Sequence, residues 1–377
     1  MSAAGEKRPK LSLYDLTPNE LESFFLSIGE KPFRASQVLD FLYRHPPGSF
    51  DEFTSLSKSL RERIGGIARL APLILRTSVE SSDGTVKNSY ELESRRGSQL
   101  AVESVLMPYE PADAISPDDI ALEKKTNREK KRKSNRITLC ISSQVGCALA
   151  CSFCATGAVG LKAQLTTGEI VWQVVDAMAR SGRVPDAVLF MGMGEPMHNF
   201  DSVCGAVEIL MHQNALGISP RRIVVSTAGE LDLLEKFHEK FLSVRMAISL
   251  NASTNSLRSR IMPINEKFDL RAIRSFLKRI ELRHSDRVTI EYVILGGVND
   301  TERQADALHN YILPIKDRVK VNLIAYNTVE GKDFTSPDRE SVFRLQNRLR
   351  SSGIMVFIRR NRGRGAYAAC GQLAGKF

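Results

Sequence analysis

The chain of 377 residues contains one tryptophan, six histidines and no apolar run long enough to span a bilayer. Its first eight residues lack the apolar core of a secretory signal peptide. We therefore expect a cytoplasmic protein with no membrane partner. The histidines are scattered, so no histidine-rich metal centre is expected. Six cysteines in a cytoplasmic chain favour metal or redox chemistry over a disulfide scaffold.

Acidic residues are outnumbered, with 43 Asp and Glu against 53 Lys and Arg, giving a net charge of +10. This balance fits a polyanionic partner. The hydrophobic content of 42% and the charged content of 25% are ordinary for a soluble globular protein. The length predicts two or three domains, or one large catalytic domain with an appendage.

Three of the six cysteines, Cys147, Cys151 and Cys154, fall within eight residues in a C-x3-C-x2-C pattern. This run offers three thiolates, one ligand fewer than a metal centre usually has. Iron–sulfur clusters are held by cysteine thiolates, so the spacing predicts a 4Fe–4S cluster with one iron open to another ligand. The alternatives are a zinc site or a chance group of buried thiols. Zinc sites of this type close with a fourth Cys or His, and no second C-x-x-C pair or nearby His follows.

Three regions precede the cysteine run. Residues 1–70 predict a small helical domain, either a packing unit or an RNA-binding appendage, because apolar residues such as Leu21, Phe25 and Leu42 recur at helical spacing. Residues 71–110 predict a β-rich connector with a hairpin turn at Asp83. Residues 111–135 predict a basic, disordered insertion. Such a run of Lys and Arg is typical of a solvated segment, or of one that binds a phosphate backbone.

Strand and helix patterns alternate through residues 136–377. The six strand-like apolar runs are 137–142, 187–191, 222–226, 244–250, 288–295 and 319–325. A capping box at Thr166 and Glu169 marks the start of one helix. This α/β alternation predicts a parallel sheet curled into a partial or full barrel. Functional sites in such folds lie at the carboxyl ends of the strands, and the cysteine run follows the first strand.

An open iron on a low-potential cluster suits S-adenosylmethionine, which chelates it and accepts an electron to give a 5′-deoxyadenosyl radical. A polar loop that holds the methionyl amine is then expected after the second strand, where Met191-Gly192-Met193-Gly194-Glu195-Pro196 lies. Glycines let backbone approach a ligand closely, and the Glu195 carboxylate suits an ammonium group. A structural turn explains this loop equally well when it is taken alone. Its place one βα unit after the cysteines favours the cofactor interpretation.

Together these motifs resemble the radical SAM RNA methyltransferases of the RlmN/Cfr family, which methylate ring carbons of adenosine. The resemblance extends over nearly the whole chain. It rests on residues 32–37, 143–147, 190–196, 225–227, 248–250, 262–265, 291–293 and 368–373. It implies an α/β fold, namely a radical SAM partial (β/α)6 barrel with an N-terminal helical accessory domain and a small β extension. The catalytic core would then be residues 136–377, ending in a methyl-cysteine segment.

The resemblance also implies roles for three further residues. Cys370 takes a methyl group from one S-adenosylmethionine, and a second S-adenosylmethionine yields the radical that activates this S-methyl group for addition to adenine. Cys140 then attacks the Cys370 sulfur, which forms a disulfide and releases the product. Glu103 removes the proton from the adducted ring carbon. Without the resemblance, both thiols are explained equally well as buried core residues, and Glu103 is expected to face solvent.

The implied ligands and partners follow the same family pattern. The three clustered cysteines would hold one 4Fe–4S cluster. The positions that match S-adenosylmethionine contacts are Gly194, Glu195, Ser226, Ser249, Leu250, Asn251 and Asn327. The implied substrate is adenine carbon 2 in 23S ribosomal RNA, with transfer RNA as a second substrate, and the implied electron donor is of the flavodoxin type. The protein is expected to be a monomer. Cys204 has no family role and is predicted to be core.

Three features depart from the family pattern. Ala366-Tyr367 replaces an Asp-Ile pair close to Cys370, Asn251 replaces a histidine, and the basic insertion separates the Glu103 strand from the Cys140 strand. The departures put the positioning of the substrate and the RNA target in doubt. Three alternative functions stay open: methylation of adenine carbon 8, a radical SAM enzyme with another substrate, and a non-catalytic RNA-binding protein with a structural zinc or cluster. The basic cluster at residues 359–364 is interpreted either as a phosphate contact or as a solvated turn.

Overall fold

The computed structural model describes residues 10–98, 100–108, 136–283, 286–359 and 361–375. The predicted basic insertion at 111–135 lies outside the described residues, as does Arg360 of the basic cluster. The strands are β1 Leu11–Ser12, β2 Ala68–Arg69, β3 Leu73–Glu80, β4 Val86–Leu92, β5 Ala101–Pro108, β6 Ile137–Ile141, β7 Gln144–Val145, β8 Ala163–Gln164, β9 Ala187–Phe190, β10 Ile223–Thr227, β11 Arg245–Ser249, β12 Val288–Ile294, β13 Val319–Ala325 and β14 Val356–Arg359. The α-helices are α1 Pro18–Ser27, α2 Phe33–Arg44, α3 Lys58–Ile67, α4 Ala155–Val159, α5 Thr167–Ser181, α6 Phe200–Met211, α7 Leu231–Lys240, α8 Asn255–Ile261, α9 Leu270–Arg279, α10 Glu302–Ile312 and α11 Arg339–Arg350.

The N-terminal helices α1 to α3 form where apolar periodicity predicts helices. A capping box at Thr17 and Glu20 starts α1, with Pro18 in the first turn, where its missing N–H costs nothing. The helices bury one apolar stripe each and pack next to the rest of the chain. Tyr14 makes an edge contact with Trp172 at a ring-centroid distance of 5.0 Å, and the Asp15 carboxylate accepts the Gly168 N–H at 2.8 Å. This unit is therefore fixed to the start of α5.

The main sheet has ten strands in the order β14-β13-β12-β11-β10-β9-β6-β5-β4-β3. The strands from β6 to β14 in this order are parallel to one another, as βα repeats require. Strands β3, β4 and β5 extend the sheet with antiparallel pairing, and β5 joins β6. The six strands predicted for the core are all present. The sequence prediction missed the seventh parallel strand, β14.

The parallel part is an open barrel with helices outside it. Helix α9 shows why, because Leu270, Ile273, Phe276 and Leu277 share one buried face while its basic residues face solvent. Burying each of these side chains contributes about 1.5–3 kcal/mol. The capping box predicted for α5 is present, with the Glu169 carboxylate accepting the Thr166 N–H at 2.9 Å. None of the helices in the described ranges is long and apolar enough to cross a bilayer.

The last described segment, residues 361–375, returns from β14 across the carboxyl ends of the strands. It reaches the antiparallel extension, where Arg362 donates a hydrogen bond to the Pro108 carbonyl and the Gly363 N–H donates to the Asp83 carboxylate at 2.9 Å. We call residues 361–375 the C-terminal segment. It connects the two edges of the open sheet and covers the end at which the predicted site lies.

Candidate active site

A cavity of about 690 Å³ opens at the carboxyl ends of the parallel strands. This is the edge at which the barrel topology places a functional site. Ten of the predicted site residues line it, namely Cys140, Cys147, Cys151, Cys154, Gly194, Glu195, Ser226, Ser249, Asn251 and Cys370. Glu103, Leu250 and Asn327 are not among the lining residues. The structure therefore brings together five of the six cysteines of the chain in one chamber.

The loop that follows β6 positions the three clustered cysteines. Helix α5 fixes the start of this loop, because the buried Gln173 amide pairs with both backbone groups of Ser142 at 2.9 Å. Gly146, directly before Cys147, has a φ of +74°, and a Cβ there would lie 1.8 Å from the Gly160 carbonyl oxygen. Only glycine fits this turn. The loop is thus built to present Cys147, and the residues after it, to the cavity.

Cys147, Cys151 and Cys154 all line the cavity, and three thiols at this spacing are the donor set that suits a 4Fe–4S cluster with one iron open to another ligand. Burial raises the pKa of the Cys147 thiol to about 12 and that of Cys151 further still. Binding of a cluster at these thiols must therefore release protons.

Glu195 lies in the loop after β9 and is buried to 2% exposure. Its carboxylate accepts the N–H groups of Met197 at 3.1 Å and Ala228 at 2.8 Å. No Lys or Arg pairs with it among the described residues. Burial raises the pKa of this carboxyl group, and the hydrogen bonds from the Ala228 region oppose the rise only in part. A buried carboxylate that lines a cavity and has no Lys or Arg partner is suited to bind an ammonium group.

The neighbouring Gly194 is required by the geometry of the loop. Its φ is +99°, and a Cβ would lie 2.6 Å from the Gln144 side chain. That Gln144 side chain accepts the Glu195 N–H at 2.7 Å, which links the cysteine loop to the Glu195 loop. The two halves of the predicted site therefore hold each other in place.

The remaining predicted cofactor residues divide into two groups. Ser226 and Ser249 line the cavity at the ends of β10 and β11. Leu250 is completely buried in the core, and its backbone carbonyl accepts a hydrogen bond from Arg258. Asn327 is 4% exposed and donates a hydrogen bond to the Cys370 carbonyl at 3.5 Å. In this structure Leu250 and Asn327 therefore support the site from behind.

Asn251, one of the family departures, adopts a left-handed conformation with a φ of +55°. Asn is one of the few residues with a side chain that tolerate this region. Its side-chain oxygen accepts the Val293 N–H at 2.8 Å, and its backbone oxygen accepts from Asn299 at 2.9 Å. The substituted residue thus joins the ends of β11 and β12 while it lines the cavity.

Sequence reasoning missed Arg258, which is fully buried in α8. Its guanidinium donates to the carbonyls of Ala228 at 2.6 Å, Leu250 at 3.1 Å and Ser249 at 3.3 Å. Through these hydrogen bonds it joins the loop after β10 to the end of β11 and the loop that follows. Burial lowers its pKa to about 10. The available signal was an arginine between Leu257 and Ile261, on the apolar face of a short helix.

Cys140 and Cys370 both line this cavity, close enough for their charges to interact. Burial raises the pKa of the Cys140 thiol to about 12, and the nearby Cys370 adds to the rise. Cys370 is accessible from the cavity, but the surrounding protein raises the pKa of its thiol as well. Arg359 opposes both shifts and also contacts the Glu291 carboxylate at 3.7 Å. Arg359, from the basic cluster, thus belongs to the cavity wall.

Glu103 is 1% exposed, so the expectation that it faces solvent is wrong. Its carboxylate accepts hydrogen bonds from Ser89 at 3.3 Å and pairs with the Lys87 ammonium at 3.0 Å. The backbone N–H groups of Ala374 and Gly375 also donate to it, at 2.9 and 3.0 Å. In this state it contacts the C-terminal segment and lies outside the cavity lining.

Two other sequence features have clear positions. Cys204 is 3% exposed within α6, so its prediction as a core residue is confirmed. Tyr367, part of the Ala366-Tyr367 departure, has a φ of +51° and is 67% exposed. Ala366 is buried. The departure therefore changes the outer surface three residues before Cys370.

The fold and the site define the class of protein. A radical SAM superfamily model matches residues 141–309, and a model described as the ribosomal RNA large subunit methyltransferase N-terminal domain matches residues 11–70. A radical SAM methyltransferase structure from Sphaerobacter thermophilus superposes with a TM-score of 0.83 at 34% identity, covering 97% of this chain and 100% of that one. The chain is thus a radical SAM enzyme, and the predicted fold class is confirmed.

Curated relatives give the particular family. The dual-specificity RNA methyltransferase RlmN of Geobacter sulfurreducens is 40% identical over 97% of this chain and 92% of its own length. The protein of the same name from Pelobacter propionicus is 39% identical over 97% of this chain and 96% of its own length. The chain therefore belongs to the RlmN family of radical SAM RNA methyltransferases.

Proposed function

We propose that this enzyme methylates carbon 2 of adenine in 23S ribosomal RNA and in transfer RNA, with Cys370 as the methyl carrier and Cys140 as the resolving thiol. The observation that carries the proposal is the single cavity shared by Cys370, Cys140 and the three clustered cysteines. The relatives called dual-specificity RNA methyltransferases support two RNA substrates.

Cys147, Cys151 and Cys154 would hold a 4Fe–4S cluster, and Glu195 would bind the methionyl ammonium of S-adenosylmethionine. When bound, the cluster and S-adenosylmethionine together supply a 5′-deoxyadenosyl radical. The Gly194 backbone, Ser226, Ser249 and Asn251 line the space between these groups. Leu250 and Asn327 would act through their support of the loops. The C-terminal segment lines one part of the cavity, and there it also limits the access of water to a reactive intermediate.

Cys370 acts twice in the proposed cycle, so each turnover consumes two S-adenosylmethionine molecules. Its thiol first loses a proton and takes a methyl group by displacement. A 5′-deoxyadenosyl radical would take a hydrogen atom from that methyl group and become 5′-deoxyadenosine, and the methylene carbon then bonds to the adenine ring carbon. The adduct loses the ring proton, and it loses one electron to a one-electron carrier. The Cys140 thiolate finally attacks the Cys370 sulfur, so that an S–S bond forms and the electron pair of the broken S–C bond stays on the methylene carbon, which takes a proton to become the methyl group. Two electrons from the same carrier then reduce the disulfide. An adenine ring C–H is a poor nucleophile, which is why a thiol-bound carbon is needed.

The family role of Glu103, removal of the proton from the adducted carbon, requires a change from the present state. Its carboxylate is occupied by four donors, two of them from the C-terminal segment. We propose the base role only for a state in which Ala374 and Gly375 have moved away. A one-electron donor of the flavodoxin type and a monomeric enzyme complete the proposal.

The proposal is tested by peptide mass spectrometry of anaerobically reconstituted enzyme with methyl-deuterated S-adenosylmethionine and reductant. We expect a labelled methyl group on Cys370 that is lost when ribosomal RNA or transfer RNA is added, and a 2-methyladenosine product. Formation of 5′-deoxyadenosine with an unlabelled Cys370 would reject the methyl-cysteine route. An 8-methyladenosine product would reject the assigned carbon alone.

A Cys140→Ala variant tests the resolving role separately. We expect it to accumulate a covalent complex between RNA and Cys370, visible on a denaturing gel, because no thiol remains to break the S–C bond. A Cys204→Ala variant is the matched control, since that thiol is buried away from the cavity. Normal release of methylated RNA from Cys140→Ala would refute this role.

A further inference from the structure

The antiparallel extension offers two carboxylates to the C-terminal segment, one on each side of Cys370. Asp83 accepts the N–H of Gly363, and Glu103 accepts the N–H groups of Ala374 and Gly375. We propose that Asp83 and Glu103 act as a clamp that positions Cys370 in the cavity before any RNA binds. The positioning is a property of the resting enzyme, and only its purpose rests on the proposed function.

At the Glu103 end of the clamp, the carboxylate forms an ion pair with Lys87 and hydrogen bonds with the C-terminal segment. The Lys87 ammonium lies 3.0 Å from Oε1, and the amides of the C-terminal segment contact Oε2. Glu103 and Lys87 are on neighbouring strands, with Lys87 opposite Val105 and Glu103 opposite Ser89. Charge-assisted hydrogen bonds are shorter and stronger than neutral ones, and here they are shielded from water. The segment is therefore held where Ala374 and Gly375 pass the strand.

The geometry also explains why this end tolerates little substitution. A Cβ on Gly375 would lie 2.6 Å from the Ala101 carbonyl oxygen and 2.9 Å from the Met193 side chain. The chain reaches Glu103 only because residue 375 has no side chain. This close approach aligns both backbone amides with one carboxylate oxygen.

The Asp83 end lies in the turn between β3 and β4. Asp83 Oδ2 accepts from Gly363 at 2.9 Å, while Oδ1 accepts the Thr85 N–H at 3.1 Å within the turn. These hydrogen bonds outweigh burial and lower the pKa of Asp83 below its ordinary value. Asp83 therefore stabilises the turn between β3 and β4 and also binds the C-terminal segment.

Between the two ends, the segment contacts the helix that follows the cluster cysteines. The Ala155 N–H donates to the Gly371 carbonyl at 2.8 Å, and the Thr156 hydroxyl donates to the Leu373 carbonyl at 2.6 Å. Cys370 thus lies between the two anchored ends, next to residues that are hydrogen-bonded to the helix after Cys154. The segment has other contacts as well, since Arg362 donates to the Pro108 carbonyl and Gln372 to the Thr328 carbonyl. Loss of either anchor should therefore loosen 363–375 most strongly at that end.

The test uses the cluster-loaded enzyme without S-adenosylmethionine or RNA. We would compare Asp83→Asn and Glu103→Gln with wild type by hydrogen exchange of peptides covering 363–375 and by the rate of Cys370 alkylation with iodoacetamide. Every neighbour of the Glu103 carboxylate is a donor, so a glutamine must turn its NH₂ group towards one of them. We expect both rates to rise about ten-fold in each variant, as the loss of a charge-assisted bond implies.

Two matched controls separate the clamp from general damage to the extension. Glu80→Gln alters an exposed carboxylate at the end of β3, close to Asp83. Glu91→Gln alters a buried carboxylate on β4 that accepts from Gly97 at 2.6 Å instead of from the C-terminal segment. We expect wild-type exchange at 363–375 in both. If Glu103→Gln does not fold, Asp83→Asn, which changes a half-buried side chain in a turn, decides the question alone.

Unchanged exchange and alkylation at 363–375 in Asp83→Asn would overturn the clamp. The clamp would also be overturned if Glu103→Gln had wild-type exchange and alkylation rates without RNA and lost only its activity towards RNA. A residue that acts as a base alone would behave in this way. These results are independent of the methyl route. Absence of the methyl label on wild-type Cys370 would reject the proposed function and leave the resting-state measurements unaffected.

Discussion

Glu195 and Glu103 are both nearly inaccessible to solvent, yet their surroundings are opposite. Glu195 receives two backbone N–H groups and a hydrogen bond from Thr227, lies near His198, and faces the cavity without a Lys or Arg partner among the described residues. Glu103 receives a Lys ammonium, a serine hydroxyl and two backbone N–H groups, and it faces away from the cavity. The Glu103 carboxylate therefore has a lysine partner within the protein, whereas the Glu195 carboxylate has no Lys or Arg partner among the described residues.

These surroundings distinguish a carboxylate that is suited to bind a ligand from one that stabilises the fold. A buried carboxylate costs free energy unless it is paired, so an unpaired one is retained where a ligand completes it. Glu195 fits this description, with a raised pKa that an ammonium ligand would reverse. Glu103 is already paired by the protein itself. Predictions on the two residues and their neighbours can sharpen or break this contrast.

Removing Lys87, the cationic partner of Glu103, should have the largest effect, and that effect is on the stability of the fold. Lys87→Met leaves Glu103 buried beside an apolar side chain, and we expect a loss of about 3–5 kcal/mol in the free energy of unfolding. The measurement is urea-induced unfolding followed by circular dichroism. Adding Glu103→Gln to Lys87→Met should recover part of the loss, because the uncompensated charge is then gone.

The matched control for this prediction is the solvent-exposed pair of Lys240 and Glu208, whose charged atoms are 2.7 Å apart. Lys240→Met should cost less than about 1 kcal/mol, as exposed pairs contribute little. If Lys87→Met costs no more than Lys240→Met, Glu103 is not held by charge and the contrast with Glu195 fails.

Glu195→Gln should have the second-largest effect, on ligand binding instead of stability. A neutral amide cannot form a charge-assisted bond to the methionyl ammonium, which corresponds to a loss of about 2–3 kcal/mol, or a roughly 30- to 150-fold higher Kd. Isothermal titration of S-adenosylmethionine under anaerobic conditions measures it. Glu230→Gln is the control, since that buried carboxylate is already paired with Lys267 at 2.8 Å. Equal affinity of Glu195→Gln and wild type would remove Glu195 from the binding site.

The sequence predicted the parts of this contrast that depend on chain order. The six strands, the helix beginning after Thr166 and the cysteine loop all follow from apolar periodicity, capping and spacing. Glu195 was found because its loop follows the second strand, and parallel strands place successive loops at one edge. These features are local, or they follow from topology alone.

The features that the sequence did not predict depend on contacts between distant parts of the chain. Glu103 lies on an alternating strand, and nothing near it in sequence shows that residues 374–375 cover it. Strand β14 was missed because its four residues end in a basic cluster, although pairing with β13 fixes it. Arg258 is buried because the carbonyls that it binds come from two other loops. Tertiary contacts thus decide which polar side chains are structural.

The smallest expected effect is the pH dependence that Glu195 alone should give. Its folded pKa is raised by burial above the ordinary value of 4.5, so its contribution to stability is fully present below about pH 4.5 and is lost as the pH rises through the raised value. Binding of an ammonium requires the ionised form. S-adenosylmethionine affinity should therefore weaken as the pH falls through the same window, by at most about ten-fold per pH unit.

Glu195→Gln should abolish this slope, whereas Glu103→Gln should keep it, because Glu103 is not part of the binding cavity. The measurement is the Kd of S-adenosylmethionine from pH 5 to pH 8 in buffers of different ionisation enthalpy, which also reports proton release. A slope that persists in Glu195→Gln would assign the titration to another group. A slope lost in Glu103→Gln would show that the clamp and the ammonium site are coupled through the C-terminal segment, and the two carboxylates would then form one functional unit.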